Sequence, residues 1–360
     1  MKIGILTYHR AYNYGAFLQA FALKSFLAEK GYDVSFVDYW PLYHESLYSL
    51  WDKTSGLKSF FRNLILAFKR HARYKRFNSI QRHFLGLKHK PEFRSASEME
   101  GLDYDVIVYG SDQIWWKSRI GKIDFDPVYW GQNISRDIKK VSYAASMGII
   151  NLTDADLSQI RKYLTAFSSI SVRETQLMNT LQPLTEKTIK TALDPTLLMP
   201  SSFWESVCTR KTPVNGKYIL YYKMMNDDKA DVFAHELGKL YNLPVIRITG
   251  NIGSYKTDRI NTITDPFLFL ALIRNAEYVV STSFHGVAMS IQFHKEFYAM
   301  GMSNNSNRVT SLLSQLGLEQ RMTDSVQNCT SQRIDYSAVQ IKLSELRQES
   351  ANILISSILS

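Results

Sequence analysis

Along this chain, short continuous runs of apolar and β-branched residues alternate with stretches in which apolar residues recur every three to four positions. The runs predict ten strands, at 3–7, 34–37, 106–109, 140–143, 170–172, 189–192, 218–222, 245–248, 278–281 and 296–299. They read as continuously apolar more than alternating, as expected of parallel strands covered on both faces. Helical spacing appears at 16–29, 155–167, 228–241, 266–275, 287–293 and 309–316. Strand and helix in alternation predict an α/β protein with doubly wound sheets.

A boundary falls near Asp194-Pro195, where a strand ends and Pro195 and Pro200 interrupt any helix. The organisation predicted is a Rossmann-like domain over 1–193, a second over 194–337 facing it across a cleft, and a last helix over 338–360 that crosses back onto the first. There is no internal repeat and no low-complexity segment. A length of 360 residues suits two domains, and 45% hydrophobic residues with 17 Gly and 9 Pro exclude disorder and collagen.

Charge changes the picture at one place. Between Asp52 and Glu92 there is no acidic residue, while eleven Lys/Arg fall there. The chain has 43 basic and 33 acidic residues, so removing those eleven leaves 32 against 33. The net charge of +10 is therefore local to a helical insertion at about 53–92. Leu57, Phe60, Phe61, Leu64, Ile65 and Phe68 recur at helical spacing before the cationic run Lys69–Arg76. The pattern fits an interfacial helix held at an anionic membrane surface through 53–90. It equally fits an insertion with its apolar side in the core and its charges in water. Nothing beyond charge points to nucleic acid. Cys208 and Cys329 are too few and too far apart for a disulfide framework or a cysteine zinc site, so a reducing cytoplasm is expected. The first residues are too short an apolar stretch for a signal peptide, and no run of about 18 apolar residues occurs.

Five clusters sit where strands end. Asn13-Tyr14-Gly15 opens the first helix, where backbone N–H groups can hold an anion or sugar hydroxyls; the plain alternative is a turn capped by Asn13. Gly110-Ser111-Asp112-Gln113-Ile114-Trp115-Trp116 sets a carboxylate, an amide and indole rings beyond a strand, which suits a sugar. Ser171-Val172-Arg173-Glu174 offers a guanidinium for carboxylate or phosphate, against the alternative of a surface Arg173–Glu174 pair. Ser281-Thr282-Ser283-Phe284-His285-Gly286 places a histidine at a helix start, poised for proton transfer or simply structural. Asn304-Asn305-Ser306-Asn307-Arg308 leads one cation into a helix and fits phosphate.

In order and spacing these clusters, with Ile3-Gly4-Ile5-Leu6-Thr7, Leu193-Asp194-Pro195-Thr196 and Ala276-Glu277-Tyr278-Val279-Val280, resemble the polysaccharide pyruvyl transferase family over roughly residues 2–318. The resemblance implies a GT-B-like pair of Rossmann domains. It implies transfer of pyruvate from phosphoenolpyruvate onto two hydroxyls of a sugar, giving a cyclic ketal and phosphate without a metal or redox cofactor. It assigns donor binding to Arg173, Ser283, His285 and Arg308, and acceptor binding to Asn13, Gly15, Asp112, Gln113 and Trp115. His285, Arg173 and Asp112 would carry the chemistry. A lipid-linked sugar acceptor and a peripheral place at the inner membrane face would fit the basic insertion. The rival is a GT-B glycosyltransferase using a nucleotide sugar, with Glu319 as a ribose-binding candidate. A third reading is a non-catalytic module binding sugar or anionic lipid. The oligomeric state is not fixed by the sequence.

Overall fold

A computed structural model describes residues 1–48, 57–117, 124–224, 227–249, 265–300, 306–329 and 332–360, without the side chains of 57–63, 65 and 306. The chain begins with β1 (Lys2–Leu6), α1 (Tyr14–Glu29), β2 (Asp33–Phe36), α2 (Leu42–Ser46) and α3 (Leu57–Ile80). It continues through β3 (Val106–Tyr109), β4 (Lys139–Ala145), α4 (Asp154–Leu164), β5 (Ser169–Val172), α5 (Thr175–Leu181) and β6 (Ile189–Thr191). After α6 (Pro195–Leu198) and α7 (Ser201–Val207) come β7 (Ile219–Lys223), α8 (Asp228–Leu240) and β8 (Val245–Thr249). The last elements are α9 (Pro266–Asn275), β9 (Tyr278–Ser281), α10 (Phe284–Gln292), β10 (Glu296–Ala299), α11 (Ser306–Leu316) and α12 (Tyr336–Leu359). All ten predicted strands are present, with ends shifted by at most two residues.

Two parallel sheets result, ordered β2-β1-β3-β4-β5-β6 and β10-β9-β7-β8. In each, strand order reverses once, between β1 and β3 and again between β7 and β9. Such reversals open a crevice beyond the strand carboxyl ends. The two sheets share one large apolar core, because α1 packs on α6, α9 and α10. Within it Tyr14 of α1 stacks on Phe269 of α9, with ring centres 4.9 Å apart. The C-terminal helix α12 touches both sheets' surroundings. Ser350 Oγ accepts the Leu193 N–H at 2.9 Å, Ser357 meets Ser169 at 2.8 Å, and Lys342 Nζ reaches Leu316 O at 3.4 Å.

In the described part of the basic insertion Lys75, Arg82, Lys88 and Lys90 are exposed, as expected of charges left in water, but two cations depart from that expectation. Arg73 is buried, with its guanidinium over the Tyr14 and Phe77 rings at 5.2 and 5.3 Å. Arg76 pairs with the buried Asp265, the N-cap of α9, at 2.5 Å. Phe77 and Ile80 enter the core, whereas Phe68 is 70% exposed. The insertion thus docks by its C-terminal half. The side chains of Leu57, Phe60, Phe61 and Ile65 lie outside the described residues. Among those described, no helix is long and apolar enough to cross a membrane.

Candidate active site

The two crevices face each other. Thr7 Oγ donates to Ser111 O at 2.7 Å and ties the loops after β1 and β3 together. Across the cleft, Thr282 Oγ accepts the Met224 N–H at 2.8 Å and ties the loops after β7 and β9. A buried polar network fixes the loop after β1. His9 spans Thr7 O and Asp38 at 2.9 and 3.0 Å, and Arg10 forks onto both Asp38 oxygens at 2.5 Å. Burial alone would raise the Asp38 carboxyl, but hydrogen bonds from Arg10 and His9 hold it down at about 2. The loop after β1 is thus pinned by His9, Arg10 and Asp38.

Between the loops lies a cavity of about 260 Å³ lined by Tyr8, Asn13, Tyr48, Asp112 and Gln113 from one side and Ser283, Phe284, His285 and Arg308 from the other. Asn13 caps α1, accepting the Ala16 N–H at 3.2 Å. Gly15 follows because His285 lies against it: a Cβ there would stand 2.6 Å from His285 Cε1 and closer to Nδ1 and Cγ. Asp112 takes a left-handed φ of 77°, a conformation Asp tolerates better than most residues. α10 begins at Phe284 rather than at 287. His285 therefore sits in the first turn, where apolar periodicity does not register a polar residue.

Behind the cavity, Asp194 joins the halves. Its Oδ2 is 2.7 Å from Arg173 Nη2, accepts from Ser111 Oγ at 3.2 Å, and lies 3.7 Å from His285 Nε2. Burial opposes its charge, yet Arg173 first, then His285 and Thr196, hold its carboxyl far below the usual range. Arg173 also donates to Ser111 Oγ at 2.5 Å. The Phe284 ring has the Arg173 guanidinium 4.9 Å from its centre and that of Arg308 5.9 Å away. Arg173 Nε and Nη1 and Arg308 Nε are buried without hydrogen-bond partners among the described residues. Burial and the nearby Arg173 both lower the Arg308 pKa.

Not every expected residue lies where the chain order put it. Trp115 is fully buried, stacked on Trp130 at 4.5 Å with its indole N–H on Tyr129 O at 3.0 Å. It cannot offer a face to a sugar and is removed from the acceptor set. Tyr8 and Tyr48 line the cavity instead; Tyr8 is wedged edge-on against His44 and Tyr129. Arg173 stands behind the cavity wall, and Arg308 is the cation on it. The Arg173–Glu174 surface pair does not exist, since both residues are buried. Asn304 and Asn305 lie outside the described residues, and Glu319 is exposed on a short turn away from the cavity. A larger cavity of about 670 Å³ lies beside α8 and the amino end of β8, away from the strand carboxyl ends. Position after a strand was the signal that would have found Tyr8. Asp194 stood in the sequence only as a boundary residue and within the Leu193-Asp194-Pro195-Thr196 motif, with no role assigned.

A family model described as polysaccharide pyruvyl transferase matches residues 13–304. The chain belongs to the polysaccharide pyruvyl transferase family. It is accordingly a transferase, in a family whose description ties it to polysaccharide pyruvylation. Among solved structures, a UDP-N-acetylglucosamine 2-epimerase from Rickettsia bellii aligns at TM-score 0.52 and 9% identity, covering 99% of this chain and 96% of that one. The Methanocaldococcus jannaschii UDP-GlcNAc 2-epimerase aligns at 0.48 and 12% identity, covering 99% of each. An Escherichia coli heptosyltransferase aligns at 0.40 and 10%, covering 96% and 100%. The first of these likenesses concerns the fold alone. No curated protein sequence matches the chain.

Proposed function

We propose that this transferase moves the pyruvate unit of phosphoenolpyruvate onto two hydroxyls of one sugar in a polysaccharide or lipid-linked precursor, forming a cyclic ketal. The observation that carries the reading is the cation pair around Phe284, Arg308 on the cavity wall and Arg173 behind it, each with a buried N–H that has no hydrogen-bond partner among the described residues. A donor with a carboxylate and a phosphate supplies the missing acceptors, and guanidinium groups match both geometrically. A proton delivered to C3 makes C2 electrophilic, and a sugar hydroxyl adds there. The C2–O bond to phosphate breaks, and the second hydroxyl closes the ring. Of the two hydroxyl protons, one balances the proton now on C3 and the other leaves with phosphate. No oxidant or reductant is needed. His285 is suited to the proton transfers, worth ~10²–10⁴ in rate. Asp112, on the cavity wall near Tyr8 and Tyr48, is suited to deprotonate the acceptor. Asn13, Gly15 and Gln113 border the same space on the acceptor side, and Ser283 on the donor side.

The test is incubation with phosphoenolpyruvate and a panel of simple and lipid-linked glycosides. Inorganic phosphate release with a matching pyruvyl mass gain is expected. Turnover of a nucleotide sugar with nucleotide diphosphate release would instead favour a glycosyltransferase. The exposed Phe68 and the cations of α3 support reversible attachment to an anionic membrane, each cation adding ~1 kcal/mol at most. Replacing Lys69, Arg70 and Lys75 by Gln should release the protein from anionic vesicles at low salt. Salt-independent recovery in the supernatant for both proteins would refute attachment.

A further inference from the structure

Glu174 is a carboxylate that the proposed chemistry does not use. It follows β5 and precedes α5, and it is only 1% exposed. Ser146, just after β4, donates its hydroxyl to Oε1 at 2.5 Å. Arg308 of α11 places Nε 4.0 Å from the same oxygen, too far for a hydrogen bond. Oε2 is buried with no partner among the described residues. The charges facing this carboxyl are Arg173 from the end of β5 and Arg308 from α11, and both favour its ionised form. Desolvation outweighs them and raises the carboxyl above its usual range. The wider cluster around Arg308 contains Arg173, Glu174, Asp112 and Asp194. Two guanidinium groups and the His285 imidazole, 3.7 Å from Asp194, therefore face three carboxylates, so the cluster is net negative with His285 neutral and balanced when it carries its proton.

That balance is unsuited to receiving another multiply charged anion. An anion bound by Arg308 would meet a cluster with no spare positive charge in a poorly solvated pocket, where repulsion from the carboxylates is weakly screened. The group whose charge is least secured is Glu174, since Asp194 is ion-paired with Arg173 and Asp112 borders the cavity and accepts the Gln113 N–H at 2.8 Å, while Glu174 has one hydroxyl and a distant cation. We propose that Glu174 is a positioning residue for Arg308, attracting the guanidinium by its charge across 4.0 Å while the site is empty and taking up a proton when an anion binds. The arriving anion then inherits Arg308, and the neutral carboxyl keeps its place through Ser146. The proposal rests on reading Arg308 as a donor-binding cation.

Calorimetric titration of phosphoenolpyruvate, and separately of inorganic phosphate, in buffers of differing ionisation enthalpy counts the protons exchanged. Wild type should take up as much as one proton more than Glu174→Gln. Above the Glu174 midpoint its Kd should weaken by up to ~10-fold per pH unit relative to that variant, the limit for one linked proton. Ser146→Ala removes a hydrogen bond to the charged form and should move the midpoint upward, so it tests the idea even if Glu174→Gln fails to fold. Equal proton uptake and equal pH slopes in wild type and Glu174→Gln, or an unmoved midpoint in Ser146→Ala, would overturn the role. Phosphate binding with the predicted uptake but no phosphoenolpyruvate binding would uphold Glu174 and sink the donor assignment. Binding of neither anion would sink both.

Discussion

Gly15→Ala sets two forces against each other and their sum can be measured. Gly15 is the second residue of α1, and helix propensity alone favours Ala there by up to ~1 kcal/mol. The added methyl, however, would lie 2.6 Å from His285 Cε1 and nearer to two other ring atoms, where ordinary contact begins at 3.4 Å. The ring is boxed in, with Phe284 edge-on at 5.3 Å and Asp194 at 3.7 Å. Relief needs a displacement on the order of 1 Å of the imidazole, or of α1 against α10, and overpacking of this kind costs ~1–3 kcal/mol. The clash should win, lowering the melting temperature by a few degrees. Misplacing a reacting group by ~1 Å can cost ~10²-fold in rate, so phosphate release should fall by about that factor. Scanning calorimetry and a phosphate-release assay read the two effects. A variant that melts higher than wild type and turns over at the same rate would refute the close approach of Gly15 and His285.

Other outcomes follow from the same geometry. Asp194→Asn leaves the buried Arg173 without its carboxylate and should cost ~3–5 kcal/mol in thermal or urea unfolding; no loss would show that Arg173 is neutralised elsewhere. The Asp38 carboxyl falls from its ordinary 3.8 to about 2 in the folded protein, so it contributes ~2 kcal/mol that is present above pH ~4 and lost as pH falls toward 2. Asp38→Asn should accordingly flatten that part of the acid unfolding profile, and an unchanged profile would discount the Arg10–His9–Asp38 network. Trp115→Ala should cost ~3–5 kcal/mol as a core truncation while Trp115→Phe keeps acceptor KM, whereas Tyr8→Ala should raise acceptor KM at unchanged donor affinity. Arg76→Gln removes one of two cations on the buried Asp265, the other being Arg210 at 3.1 Å, and should lower the melting temperature without altering donor binding.

The ten strands were legible in the apolar pattern, because parallel strands covered on both faces must be apolar throughout and stand out against their neighbours. The sequence also located the clusters that meet at the cleft, since ligands in such sheets bind beyond strand carboxyl ends and the clusters follow β1, β3, β5, β9 and β10. Sequence position says which strand a residue follows but not which way its side chain turns. Trp115 and Asp112 lie three residues apart after β3, yet Trp115 N–H bonds Ser146 O at 3.1 Å and its ring enters the core while Asp112 borders the cavity. The sequence left Arg173 either as an anion-binding guanidinium or as half of a surface pair with Glu174, and only the packing of α11 and the Asp194 turn removed both from water. Gly15 looked like a turn residue, although its lack of a side chain answers to His285, 270 positions away. Close contact between distant segments is decided by how the two halves pack, and no local pattern encodes that distance.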